Sequence, residues 1–174
     1  MSSDGILTID QLLAQVEEAT AATTAVIEKC SEVDWKTAVP EEERTVGVVL
    51  HHIAFTIPFV VEWACNLAKG EGAPAVGYDD IHGLNHQHAV DQANVDKATT
   101  LALLQTHAQA AQEQLGQLTD ADLQIAALFP LIGGQEITAQ QMVQWFLINH
   151  AHNHLEAIHN TIGGKQHDHD YQIR

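Results

Sequence analysis

The sequence predicts an all-α protein, a four-helix bundle with one crossover. Four long stretches space their apolar residues at helical intervals, strand signal is sparse, and no internal repeat is present. The connection between the second and third helices is long enough for a crossover, and it contains a short helix of its own.

In chain order, Thr8 and Gln11 form a capping box that opens a helix from about residue 9 to about residue 32. Leu12, Leu13, Val16, Ala19, Val26 and Ile27 make its apolar stripe, with Thr23 on the same line. Residues 34–40 are a connection, and Glu41–Glu43 read as a solvated, helix-initiating acidic run. Thr45 caps the second helix, which ends near Lys69 before Gly70, and Pro58 predicts a kink one turn upstream. Residues 71–80 are the crossover, and a short helix within Ile81–Ala93 bears His82, His86 and His88. Asp96 begins the third long helix, to about Leu118, with Leu101, Leu104, Ala108, Ala111 and Leu115 inward. A capped turn at Thr119–Asp122 and a loop at Phe129–Glu136 lead to the last helix, opened by Thr138 with Gln141 and stopped by Gly163-Gly164. Residues 1–164 form one domain and residues 165–174 a polar, histidine-containing tail.

Composition narrows the function. Seven basic against 23 acidic residues give a net charge of −16, which argues against nucleic acid or an anionic membrane as partner. The best candidate span, Val46–Ala68, is interrupted by His51, His52, Pro58 and Glu62. Two cysteines, Cys30 and Cys65, make no disulfide framework, and the N-terminus lacks signal-peptide character, so a cytoplasmic protein is expected. There is no Gly-rich phosphate loop, no CxxC pair, and serine only at Ser2, Ser3 and Ser31.

Histidine is abundant, at 12 residues. In the last helix Val143, Leu147, His150, His154 and Ile158 share one stripe, while His152, Glu156 and His159 take a more polar face. Two imidazoles at i and i+4 reach one metal ion, and burying both without partners would cost about 1–3 kcal/mol each. In the second helix Val48, His52, Phe55, Phe59 and Trp63 form a stripe, whereas His51 sides with Gly47, Ala54, Pro58 and Glu62. His52, His150 and His154 are therefore the expected metal ligands, and His51 a surface residue or a support behind them.

These elements resemble the DinB-like superfamily of bacterial four-helix bundles. The first is Thr45-Val46-Gly47-Val48-Val49-Leu50-His51-His52-Ile53; the second is His150 and His154 followed by Ile158. The Asp120–Leu123 turn and Thr138–Met142 extend the likeness over nearly the whole chain. The resemblance implies a divalent metal, zinc or nickel, on those three histidines, and a homodimer. Characterised relatives include transferases and isomerases that use the thiols mycothiol or bacillithiol. It thus implies activation of a low-molecular-weight thiol or of water against a small molecule, thiol transfer first and hydrolysis second; the rival is a non-catalytic, stress-associated metal-binding bundle. One branch has Arg-Gly-Gln after the last ligand, where Leu155-Glu156-Ala157 stands here.

Other candidates weigh less. His86, His88 and His107 are each a fourth ligand or proton shuttle, or more simply an ordinary histidine. Asn85 either holds the crossover or faces the cavity. Glu62 and Glu156 are displaced from the ligand stripes and read as solvated, Cys65 is turned away from His52, and Trp63, Trp145 and the phenylalanines read as core. Arg44, Lys69 and Lys97 are the mid-chain cations open to an anionic thiol.

Overall fold

Capping residues set the helix boundaries. The computed structural model describes residues 5–170, with side chains through residue 163. Helix α1 (Ile9–Lys29) opens on the Thr8–Gln11 box and buries Leu12, Val16, Ala19, Thr23 and Ile27. It ends earlier than expected, because Ser31 and Asp34 form a second capping box and start a separate short helix, α2 (Glu32–Trp35).

Next comes a two-residue antiparallel pairing, β1 (Ala38–Val39) with β2 (Arg44–Thr45). It encloses a 3-10 turn at Pro40–Glu42 and Glu43 in the left-handed region at φ 53. The Glu41–Glu43 run is thus not a solvated helix start. Pro40 fixes the turn, and Glu42 is drawn in while Glu41 and Glu43 stay exposed.

Helix α3 (Val46–Ala68) is the centre of the fold, packed against α5 (Lys97–Leu115) and the C-terminal helices. It is long and apolar enough to cross a membrane by composition, but 61% of its apolar window is buried inside the protein, which is what a core helix requires. Pro58, on its outer side, has no N–H to give the Ala54 carbonyl. His107 of α5 fills the gap, its Nδ1 lying 2.8 Å from that oxygen. Gly47, in the first turn, makes room for the Trp35 indole: a Cβ there would sit 2.4 Å from Trp35 Cε2. The indole Nε1 in turn donates to the Val95 carbonyl at 2.9 Å, linking α2, α3 and the approach to α5.

The crossover carries α4 (Tyr78–Asp91), which lies against α3. After α5, the expected loop is a hairpin. Strand β3 (Ala126–Phe129) pairs with β4 (Gln135–Thr138) across a turn whose Gly133 and Gly134 take φ 72 and 74, sending Phe129 and Ile137 into the core. The last helix is interrupted: α6 (Ala139–Val143), a π-helical turn (Gln144–Asn149), then α7 (His150–Asp170). Gln140, 3% exposed, is fully bonded, accepting from the Leu7 N–H and Gln124 and donating to the Gly5 carbonyl and Gln144. The backbone stays helical through Gly163 and Gly164, neither of which takes positive φ, so the expected stop is not used. Of the tail expected over residues 165–174, the first six are helical in backbone; residues 171–174 and the side chains of His167 and His169 lie outside what is described.

Taken together, α1, α3, α5 and the α6–α7 unit make the four-helix bundle that the sequence predicts, with α4 in the crossover.

Candidate metal centre

Because α3 crosses α7 at the level of its second turn, His52 is brought to His150 and His154. Ring centroids of His52 lie 5.2 Å from His150 and 5.3 Å from His154, and those two lie 4.3 Å apart. One ring nitrogen from each falls within 4.8 Å of the other two, which is within reach of a single ion.

Unsatisfied polar atoms mark the same spot. His52 is 1% exposed, and its Nδ1 and the Nε2 of His150 are buried with no hydrogen-bond partner. Buried polar atoms are normally paired, so two orphaned nitrogens on converging rings fit a cation. Burial first, and neighbouring histidines second, hold the imidazole of His52 down to about 2 and that of His150 to about 3. Both rings are neutral at pH 7 and keep lone pairs to offer.

The third ring is oriented by a residue that the sequence reading left in solvent. Glu42 Oε1 lies 2.6 Å from His154 Nδ1, and Glu42 Oε2 lies 2.5 Å from Arg44 Nη2. Burial alone would raise the Glu42 carboxyl, but the hydrogen bond and charge from His154, then Arg44, outweigh it and bring it down to about 2. An ionised carboxylate only accepts, so His154 Nδ1 carries a proton and Nε2 is the nitrogen left to face an ion. Glu42 thereby does for His154 what a carboxylate does for a metal-bound histidine. Arg44, expected as a free cation for an anionic thiol, is instead tied to Glu42, although its Nη1 is buried without a partner.

His51 is 6% exposed and faces α4, where its Nδ1 lies 2.8 Å from His88 Nε2. It is buried between α3 and α4, and is not a surface residue. His88 is buried against Phe55, with centroids 4.6 Å apart, and meets His52 edge-on at 5.4 Å. Burial, then His51, holds its imidazole down to about 4. His86 is exposed, His107 serves the Ala54 carbonyl, and Glu62 and Glu156 are solvated as expected.

A cavity of about 220 Å³ opens beside His52 and His150. Thr56, Phe59, Val60 and Trp63 of α3 form one wall, and Ile81, Leu84 and Asn85 of α4 the opposite one, with Leu131 and Phe146 closing it. Trp63, Phe59 and Phe146 are therefore only half-buried cavity residues and not plain core. Asn85 faces this cavity and makes no hydrogen bond among the described residues.

A helical bundle with three convergent histidines at the edge of an apolar cavity defines a class of metal-site bundles. The chain belongs to the DinB superfamily, whose family model matches residues 15–158. It is also similar in structure to YfiT from Bacillus subtilis, with a TM-score of 0.71 and 20% identity over 94% of this chain and 92% of that one. That protein is described as a probable metal-dependent hydrolase with an unusual four-helix bundle topology. At this identity the likeness shows the fold. No curated protein matches the chain.

Proposed function

We propose that this protein is a metal-dependent enzyme of hydrolytic type, holding one divalent ion through His52, His150 and His154 and acting on a small molecule in the adjoining cavity. The observation that carries the reading is the convergence of three imidazoles, two of them with orphaned buried nitrogens, at the cavity wall. An ion held there, zinc or nickel as the family resemblance implies, would supply Lewis acidity that lowers the pKa of water entering the site. Three protein ligands leave coordination positions open to water and substrate. Glu42 keeps His154 in the tautomer that can bind, and the apolar walls exclude bulk solvent from the reacting end.

Thiol transfer, the other chemistry the family resemblance implies, would use the same three histidines. Hydrolysis is preferred because the cavity lining contains no Lys or Arg among the described residues, leaving an anionic thiol without a counter-charge.

The test is metal content by mass spectrometry on tag-free protein beside His52→Ala and His150→Ala. The expected result is close to one ion per chain, lost in both variants. Ion content unchanged in the variants would overturn the ligand assignment. A large chelator-induced fall in melting temperature, with no turnover on ester, amide and thiol panels, would favour a metal that serves folding alone.

A further inference from the structure

The cavity's size, lining and lone amide specify what it accepts. Its walls are almost wholly aliphatic and aromatic, so a ligand gains by burying apolar surface there. A dry cavity of about 150 Å³ lined by Leu, Ile and Phe takes up benzene, so about 220 Å³ has room for about nine non-hydrogen atoms. Charge is disfavoured, since the lining offers neither Lys, Arg, Asp nor Glu. Besides the histidines, Thr56, Asn85 and the indole of Trp63 carry polar atoms in the lining. The hydroxyl of Thr56 already donates to the Ile53 carbonyl at 3.1 Å. The Asn85 amide, across from it on α4, makes no hydrogen bond among the described residues.

We propose that the cavity binds a neutral, largely apolar small molecule of aryl or branched-alkyl type, about nine non-hydrogen atoms in size, whose single carbonyl-like group is held by the Asn85 amide. Asn85 is then a specificity-determining residue. It donates through Nδ2 to the ligand oxygen, fixing which end of the molecule lies beside His52 and His150. The proposal rests on the metal reading only for which end reacts; the binding itself does not require an ion.

Calorimetric titration of the full chain, zinc-loaded and chelator-treated, with benzamide, toluene and benzoate tests this. Benzamide is expected to bind both forms, and benzoate to bind the metal-free form about tenfold or more weaker than benzamide. Asn85→Leu and Asn85→Asp, at a half-buried helix position, should each weaken benzamide about tenfold, the effect of one lost hydrogen bond, and leave toluene unchanged. Benzoate binding metal-free protein as tightly as benzamide would overturn the neutral class. Equal losses for benzamide and toluene would overturn the role of Asn85. Retention of zinc with no probe bound would overturn the cavity assignment and leave the metal reading standing. Probe binding by a protein that retains no zinc would uphold the cavity and remove the metal reading.

Discussion

Glu42→Gln is the most informative single change, because the side chain keeps its shape and loses only its charge. In the wild type the carboxyl falls from an ordinary value of 4.5 to about 2, a preference of about 3 kcal/mol for the ionised form. Its partners His154 and Arg44 are 12% and 13% exposed in their side chains, so solvent screens them only partly. The amide leaves Arg44 without a counter-charge and removes the tautomer control on His154. Metal-free protein should lose about 2–3 kcal/mol of stability, a fall in Tm of about 5–10 °C for a chain of this size. Zinc affinity should drop about 10–100-fold. Competition against a chromophoric chelator at neutral pH measures the affinity, and urea melts the stability. The decisive comparison is the double mutant with His154→Ala. If Glu42→Gln costs as much zinc affinity in that background as alone, Glu42 does not act through His154 and the reasoning fails.

Three further outcomes are expected. Gly47→Ala places a methyl group against the Trp35 indole and should cost about 1–3 kcal/mol in urea melts; an unchanged midpoint would show that the indole shifts freely. His107→Leu should cost about 1–3 kcal/mol by stranding the Ala54 carbonyl, and clearly less in a Pro58→Ala background, where residue 58 donates again. Burial, with smaller contributions from neighbouring charges, holds His88 at about 4 and His150 at about 3, below the ordinary 6.5. The unfolded chain therefore binds protons that the folded chain refuses, so stability is complete above 6.5 and is lost as pH falls through that window. Melts of chelator-treated protein across it should show Tm falling with pH, and a flat profile would contradict the neutral, buried state of these rings.

The bundle was legible because helices announce themselves locally. Thr8, Thr45, Asp96 and Thr138 each cap the helix expected of them, and apolar spacing named the buried faces. The same spacing chose His52 over His51, and the two do face different neighbours, α7 and α4, although both are buried. Glu42 was not legible. Its inward turn depends on Ala38–Val39 pairing with Arg44–Thr45, and two residues per strand leave no alternation to detect. The hairpin at Ala126–Thr138 did leave a signal, Gly133-Gly134 after a short apolar run, but with the polar Gln135-Glu136 beyond it this reads equally well as a loop. Asn85 stayed open because Ile81 and Leu84, the two apolar residues on its face of α4, are too few to show whether that face packs or borders a cavity, so only tertiary structure decides what it overlooks.

The π-helical turn at Gln144–Asn149 gives the last helix two phases in place of one. In the first, Ala139, Gln140, Met142 and Val143 are fixed by the core and the N-terminal segment; in the second, His150 and His154 are fixed by what they must face. A continuous α-helix would lock both to a single angle, since each residue advances the helix by about 100°. The wide turn absorbs that mismatch. Were the same six residues to close up as regular α with none deleted, His150 and His154 would swing together by about a quarter turn away from His52. The bundle would keep its grip and lose its centre, so the six residues from Gln144 to Asn149 act as the site's angular setting.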